Sequence, residues 1–128
     1  MLDEYPVYAV LAITDLERSK RWYEEKLGLK PKDEMEGGAW YESGEGGCFF
    51  LALSGSAGTA KNTVAGWTVK GIESVMEKLR ERGVEFEEYD MPGIKTENGL
   101  MVSGPFKAAW FKDPDANVLE ISEVVTAS

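Results

Sequence analysis

The stretch Phe111-Lys-Asp-Pro-Asp-Ala-Asn-Val-Leu-Glu-Ile121 has the form of two strands joined by a tight turn. Its central residues favour a turn for separate reasons. Asp113 can accept hydrogen bonds from the backbone that follows it, Pro114 restricts φ, and Asn117 tolerates a left-handed conformation. The sequence therefore predicts a strand, a turn and a closing strand.

The closing strand carries one acidic residue, Glu120, between apolar neighbours. Leu119 and Ile121 share one face of this strand, which places Glu120 on the opposite face with Val118. A buried carboxylate needs a hydrogen-bond partner, a metal ion or a shifted pKa. The chain contains no histidine, the commonest protein ligand for metals. Glu120 is therefore the first candidate for a site residue.

The first half of the chain predicts a strand, a helix and three further strands. Tyr8–Ile13 is a short apolar strand, and Thr14 or Asp15 can cap the helix that follows it. Gly28 is a natural end for this helix. The three strand-like segments that follow lie around Leu29–Met35, Ala39–Glu42 and Cys48–Leu53.

The second half repeats this order. Thr63–Val69 is strand-like, and apolar residues at helical spacing then predict a helix that stops at Gly83. Further strands are predicted at Val84–Tyr89, Lys107–Lys112 and Val118–Ser122. Leu16 and Ile72 occupy equal places in the two halves, an offset of 56 residues (72 − 16).

These patterns predict one α+β domain over residues 1–128, built from two βαβββ modules at about 5–54 and 62–124. Ser54–Ala60 has the composition of a linker between them. Each module alone is too small to close a core. Together they predict an open, partly closed β-barrel with the helices outside, whose inner face forms a cleft for side chains or a ligand.

Composition limits the function. The chain has 23 acidic and 14 basic residues and a net charge of −9, which disfavours a nucleic-acid or anionic membrane surface. Cys48 is the single cysteine, so a disulfide-bonded secreted scaffold is not expected. No signal peptide or membrane-spanning run is evident. We therefore expect a cytoplasmic protein that does not bind nucleic acid or membranes.

Two separated motifs resemble those of the vicinal oxygen chelate superfamily, which includes glyoxalase I, bleomycin-resistance proteins and ring-cleaving dioxygenases. They are Ile13-Thr-Asp-Leu-Glu-Arg-Ser19 with Trp22-Tyr23 and Leu27-Gly-Leu29, and Phe111-Lys-Asp-Pro-Asp115 with Val118-Leu-Glu-Ile121. The resemblance spans nearly the whole chain and implies paired βαβββ modules, and often a homodimer. Ala116 stands where the family usually has glycine, a departure that Asn117 is expected to absorb.

The resemblance also implies where a metal would bind, with one ligand on each of four inner strands. By position these fall at Tyr8, at Leu51 or Ala52 (with Ala52 favoured), at Val64 and at Glu120. Only Glu120 keeps a ligand-type residue, and a first-row metal needs three or four ligands from the protein. We therefore expect no metal ligands and no cofactor, with a divalent metal as the alternative that the sequence leaves open.

The predicted cleft is instead aromatic and apolar around a single carboxylate, which suits a flat or partly apolar small molecule. Its candidate ligand-binding residues are Tyr8, Phe50, Ala52, Val64, Thr68, Trp110 and Glu120. Glu120 has three interpretations. It is held by Tyr8 or Lys107 without doing chemistry, it recognises an amine or hydroxyl of the ligand, or it is a catalytic general base.

Three functions follow from these interpretations. The first is a bleomycin-resistance-like module that binds a small molecule without changing it, and an acidic groove would favour a cationic ligand. The second is a glyoxalase-type lyase or isomerase that uses Glu120 as base or metal ligand. The third is an interaction protein whose cleft is filled by its own aromatic side chains.

The long connection Met91–Pro105 has two interpretations. It is either a lid, in which Ile94, Leu100 and Met101 cover the cleft, or an ordinary strand with irregular ends.

Overall fold

The computed structural model describes residues 1–125. A short 3-10 helix, Leu2–Glu4, precedes the first sheet. That sheet has the order β1-β4-β3-β2, with β1 and β4 parallel and the other pairs antiparallel. Its strands are β1 (Ala9–Ile13), β2 (Asp33–Met35), β3 (Gly38–Ser43) and β4 (Gly47–Leu53).

The second sheet has the order β5-β10-β9-β8-β7-β6, with β5 and β10 parallel. Its strands are β5 (Thr63–Thr68), β6 (Asp90–Met91), β7 (Ile94–Glu97), β8 (Leu100–Ser103), β9 (Phe106–Lys112) and β10 (Val118–Val124). The strands β5, β10, β9 and β8 repeat the order of the first sheet. The predicted α+β class with two βαβββ modules is confirmed, and in the part of the chain described the two sheets do not close into a barrel.

Local signals delimit helix α1, and helix α2 follows an apolar stripe. Helix α1 (Leu16–Leu27) is capped by Asp15, whose side chain accepts a hydrogen bond from the backbone N–H of Arg18 at 3.0 Å. It ends at Gly28, which has a left-handed backbone with φ 73°. Helix α2 (Ile72–Glu81) buries Ile72 and Met76. Within residues 1–125, no helix is long and apolar enough to cross a membrane.

One hydrophobic core joins both sheets and both helices. Its fully buried members come from every layer of the fold: Leu11, Ile13, Tyr23, Tyr41, Leu51, Ile72, Phe111 and Leu119. The indole of Trp67 on β5 packs edge-on against Phe49 on β4 at 6.2 Å, and donates a hydrogen bond to Ser43 Oγ on β3 at 3.0 Å. These contacts hold the two modules against each other.

The turn between β9 and β10 also joins the modules. Asp113 accepts hydrogen bonds from the backbone N–H groups of Asp115 and Asn117, both at 2.9 Å, and from the hydroxyl of Tyr23 on α1 at 2.8 Å. Asn117 Nδ2 donates to the carbonyl of Ala12 on β1 at 2.9 Å. A motif that the sequence presents as a local turn therefore fixes α1 and β1 to the second sheet.

Two local expectations are wrong. The left-handed residue of this turn is Ala116, with φ 63°, and not Asn117. Asn117 has an ordinary backbone, and its side chain donates to the Ala12 carbonyl and the Asp113 carboxylate.

The second error concerns Val84–Tyr89, which is not a strand. It touches the sheet through an isolated bridge between Phe86 and Phe111 and a bond from the N–H of Glu87 to the carbonyl of Trp110 at 2.7 Å. The short strands β6 and β7 follow instead, additional to the five-element module.

Candidate ligand-binding site

Glu120 lies near the centre of the second sheet. Its directly opposite residues are Trp110 on β9 and Gly66 on β5, and opposite residues in a sheet share a face. Glu120 Oε2 is 3.5 Å from the ideal Cβ position of Gly66. The carboxylate therefore extends over the backbone of β5, in space that a larger residue at position 66 would take.

The Glu120 carboxylate has no hydrogen-bond or ion-pair partner among residues 1–125, although the side chain is half-buried. Both partners considered from the sequence are engaged elsewhere. Lys107 Nζ donates to Glu73 Oε2 at 2.9 Å, and the ring of Tyr8 packs edge-on against Trp40 at 4.8 Å. The carboxylate is thus free to accept a hydrogen bond or a positive charge from a ligand.

Beside Glu120, the Trp110 indole is nearly buried in a second, smaller hydrophobic cluster. The ring of Tyr89 meets it edge-on at 5.5 Å, and Ile94 and Met101 also pack in this cluster. Burial raises the pKa of the Tyr89 phenol, with Glu87 adding to the shift. Tyr89 is therefore a protonated hydroxyl at neutral pH, able to donate a hydrogen bond.

A cavity of about 300 Å³ opens next to this cluster. Its lining combines apolar side chains with polar groups from the start of β5: Lys61, Asn62, Thr63, Tyr89, Met91, Ile94, Trp110 and Val118. Small-molecule sites commonly have this character, a mostly apolar concave surface with a few polar groups. We call it the Trp110 cavity.

The long connection Met91–Pro105 is mostly strand. It forms the end of β6, then β7 and β8, with turns between them. Ile94 and Met101 pack against Trp110 as the lid interpretation requires, whereas Leu100 packs against the main core. The segment thus extends the second sheet beyond β9 as ordered hairpins.

The equivalent face of the first sheet is open. Phe50 lies opposite Val10 on one side and opposite Trp40 on the other, and Ala52 lies opposite Ala12. The rings of Trp40 and Phe50 are 6.3 Å apart. Tyr8 and Val10 are 51% and 56% exposed, so this apolar face meets solvent directly. We call Tyr8, Val10, Trp40 and Phe50 the open aromatic face.

The predicted site residues thus fall into two groups. Glu120 and Trp110 are neighbours, and Thr68 lies opposite Ser122 on the same face of the second sheet. Tyr8, Phe50 and Ala52 lie on the first sheet. Their arrangement as one cleft remains a prediction.

Val64 belongs to neither group, since it packs against the main core. A register shift between Val118 and Leu119 is the cause, because it places Thr63 opposite Val118 and Ala65 opposite Leu119. Thr63 accordingly lines the Trp110 cavity.

The strand pairing also identifies the first-module counterpart of Glu120. Gly66, which lies opposite Glu120, is equivalent to Val10 by the 56-residue offset of the helix starts Leu16 and Ile72. Val10 lies opposite Phe50, so Phe50 and not Ala52 is the counterpart of Glu120. Neither Phe50 nor Ala52 has a side chain that can bind a metal ion.

The metal that the resemblance implies does not fit these residues. Tyr8 and Glu120 are the only oxygen donors at the four positions, and the other two hold apolar side chains. Among the described residues, no group of three or more His, Cys, Asp or Glu side chains is placed to hold a metal ion. A first-row metal takes three or four protein ligands, so this donor set is inadequate.

Sequence reasoning missed five lining residues of the Trp110 cavity: Lys61, Asn62, Thr63, Tyr89 and Met91. Lys61 and Asn62 follow the predicted linker, Thr63 begins a predicted strand and Tyr89 ends another. Met91 begins the long connection that has the lid and strand interpretations. The approach of these residues to Trp110 depends on the inserted β6–β7 hairpin, whose turn falls at Pro92-Gly93, a dipeptide that is typical of turns.

Comparisons with known proteins agree with this fold. The sequence profile described as "Glyoxalase/Bleomycin resistance protein/Dioxygenase superfamily" matches residues 6–121. No curated protein sequence matches the chain significantly.

Solved structures from several bacteria are similar. The glyoxalase family protein from Enterococcus faecalis aligns with a TM-score of 0.70 and 22% identity, covering 96% of this chain and 100% of that one. A glyoxalase/bleomycin resistance protein/dioxygenase from Alicyclobacillus acidocaldarius aligns with a TM-score of 0.68 and 16% identity, covering 94% and 91%. A glyoxalase/bleomycin resistance protein from Catenulispora acidiphila aligns with a TM-score of 0.64 and 21% identity, covering 92% and 96%. Likeness at these identities shows a shared fold.

Proposed function

Since the chain belongs to the glyoxalase/bleomycin resistance protein/dioxygenase superfamily, we propose that it binds a small, flat organic molecule between Glu120 and the Trp110 cavity without a metal ion. The observation that carries the proposal is the free carboxylate of Glu120 beside a concave, mostly apolar surface. Partial burial removes some of the hydration of this carboxylate, and a ligand with a donor or a positive charge would replace it.

The chemistry of the site favours an aromatic molecule with a basic or hydroxyl group. The Trp110 and Tyr89 rings provide an apolar surface for a ring system, and Glu120 provides an acceptor. The net charge of −9 attracts cations over a longer range. A flat aromatic amine meets all three conditions. The single cysteine cannot form a disulfide within the chain, and the lack of such bonds is typical of proteins that act in the reducing cytoplasm.

Binding of a flat aromatic amine such as 9-aminoacridine, followed by tryptophan fluorescence, tests this proposal. We expect saturable binding that Glu120→Gln weakens by about tenfold or more, because a charge-assisted hydrogen bond contributes roughly 1.5–3 kcal/mol. Glu45→Gln, in the exposed turn between β3 and β4, makes the same charge change outside the site. Equal losses in both variants would mean that only overall charge matters, and would refute the site.

Metal independence has a separate test. We expect thermal melts to be the same after chelation and with excess nickel, zinc, manganese or cobalt. A specific metal at about a hundred times its dissociation constant would stabilise the fold by roughly 2.7 kcal/mol, a shift of several degrees. A metal-selective rise of that size would overturn this part of the proposal.

The free carboxylate also favours a second candidate function, a lyase or isomerase in which Glu120 removes a proton from the bound molecule. The Glu120→Gln variant separates the two functions. Turnover that is lost while binding persists identifies an enzyme, whereas wild-type binding without turnover of any bound compound identifies a binding protein.

We also propose that the protein is a homodimer that covers the open aromatic face. Large apolar side chains in the first third of the chain are exposed to solvent: Met1, Leu2, Tyr5, Val7, Tyr8, Val10 and Met35. Exposed apolar side chains in this number are typical of protein interfaces. A self-complementary two-fold contact would bury the face in both copies.

A further inference from the structure

We propose that the chain has a second binding site, on the opposite side of the sheets from Glu120, for a small uncharged apolar molecule. A cavity of about 180 Å³ lies between the ends of the two helices and the sheets. Its lining comes from both modules: Leu27, Leu29, Ser43, Trp67, Val69, Val75, Leu79, Phe111 and Ile121. We call it the helix cavity.

The helix cavity is lined mostly by apolar side chains, and its few polar side chains are already hydrogen-bonded. Its two polar side chains satisfy each other, since Trp67 Nε1 donates to Ser43 Oγ at 3.0 Å. All the other lining residues are aliphatic or aromatic. The cavity opens to solvent, because most of its lining side chains are only partly buried, and water inside it finds no free polar partner among them. An apolar ring that displaces this water would remove apolar surface from solvent. The helix cavity is therefore suited to a molecule the size of one substituted ring.

The rim of this cavity discriminates against charged ligands. Arg82 Nη1 lies 3.2 Å from the ideal Cβ position of Gly28, between the lining residues Leu27 and Leu29. Lys26 Nζ lies 2.7 Å from the same position of Gly83, just beyond the end of α2. Each cation thus faces the carbonyl end of the other helix, where its charge offsets the helix dipole. Cations are repelled by this pair, and an anion that entered the cavity would lose its hydration without a free hydrogen-bond donor among the lining side chains.

The helix cavity lies directly behind the proposed site. Trp67 and Ile121 line it, and their strand neighbours Gly66 and Glu120 face the other side of the sheet. The two sites are separated by one sheet layer and share no lining residue. They also contain different tryptophans, Trp67 and Trp110, so their occupancy can be followed separately.

The test uses toluene as the probe and the four tryptophan indole N–H signals of ¹⁵N-labelled protein as the readout. The Trp67 signal is assigned with Trp67→Phe. We expect toluene to shift the Trp67 signal saturably and leave the Trp110 signal unchanged. Benzoate and benzylammonium, which add a charge to the same ring, should bind at least tenfold more weakly. No shift at saturating toluene, equal binding of the charged compounds, or a shift of Trp110 alone would overturn the proposal.

Val75→Phe supplies the blocking variant, because the larger ring would occupy the helix cavity. The toluene response of Trp67 should disappear while the protein stays folded, and a response that survives would overturn the proposal. Val102→Phe, on the exposed part of β8, adds the same ring away from the cavity and should bind toluene like the wild type. If Val75→Phe does not fold, Leu79→Phe fills the same space from one helical turn further on.

Discussion

Tyr23 and Tyr41 are buried tyrosines whose rings lie 5.9 Å apart and whose hydroxyl groups have different surroundings. The Tyr23 hydroxyl donates to Asp113 Oδ2 at 2.8 Å, whereas that of Tyr41 has no partner among residues 1–125. Burial, and then the charge of Asp113, raise the pKa of Tyr23. Burial raises the pKa of Tyr41 to about 12. Both are therefore neutral at pH 7, and only one bonds to a carboxylate.

Replacing each of these tyrosines with phenylalanine should change the free energy of unfolding by different amounts. Tyr23→Phe leaves a buried carboxylate short of one donor, so we expect it to lower the free energy of unfolding by about 1–3 kcal/mol. Tyr41→Phe removes a hydroxyl that makes no bond, so the change should lie within about 0.5 kcal/mol or be stabilising. Urea unfolding measures both. Equal losses would show that the hydrogen bond to Asp113 contributes nothing beyond packing.

Ala116 is the residue at which the turn departs from the family's glycine, and its φ of 63° is left-handed. This conformation costs an alanine roughly 1–2 kcal/mol, while a glycine raises the entropy of the unfolded chain at a cost of about 0.4–1 kcal/mol. Ala116→Gly should therefore stabilise the fold by about 0.5–1 kcal/mol in urea unfolding. Ala57→Gly, at a position without positive φ, should destabilise it, and a loss in both variants would contradict the strain argument.

At the scale of elements, helix α2 depends on a distant side chain for its cap. The carboxylate of Glu123 on β10 accepts the N–H groups of Gly71 at 2.7 Å and Ile72 at 3.0 Å. These two backbone bonds, the one to Ile72 first, lower the pKa of Glu123. A group with a lowered folded pKa stabilises the protein above its unfolded pKa, and that stabilisation is lost as the pH falls through the folded value.

Glu123→Gln should therefore remove part of the acid sensitivity of the fold. Wild-type protein is expected to lose stability more steeply than the variant between neutral pH and about pH 3, and the two should converge at the acid end. Thermal melts across this range measure the difference. Glu45→Gln, in an exposed turn, should keep the wild-type slope. A variant curve parallel to the wild type at every pH would show that this cap does not titrate with folding.

The helices and the paired modules were predictable because their signals are local. Asp15 and Gly28 bound α1, and most of the strands with an apolar pattern lie where the sequence predicts them. The failure at Val84–Tyr89 has a physical reason. Alternation of apolar and acidic residues predicts a strand, but Phe86 packs against Phe111 and Arg80 and makes only one bridge. Tertiary packing outweighs the local pattern there.

At the scale of the whole molecule, the site was only partly predictable. Glu120 and Trp110 are both among the predicted site residues, and the register of β9 and β10 places them opposite each other. The Trp110 cavity was missed because residues 61–63 and 89–94 approach Trp110 only in the folded chain. The position of Val64 was missed because a register shift of one residue in β5 changes which side chains reach that face.

Substitutions on the open aromatic face test whether the protein is a dimer. Val10 belongs to this face, opposite Phe50, and is 56% exposed, while Val102 on β8 is 59% exposed outside it. Val10→Asp would place a charge within the dimer contact, where desolvation without a partner costs several kcal/mol. Val102→Asp makes the same change at equal exposure.

We expect light scattering after gel filtration to give a dimer for the wild type and Val102→Asp, and a monomer for Val10→Asp. The monomer should still melt cooperatively, at a lower temperature because dimerisation no longer stabilises the fold. The monomeric variant also tests whether the partner copy matters for binding. If the open aromatic face and Glu120 belong to one ligand site completed by dimerisation, Val10→Asp should weaken binding of the aromatic amine together with assembly. Unchanged affinity in a monomer would confine the site to the second sheet. A wild-type monomer at micromolar concentrations would refute the dimer and leave this face for a different partner.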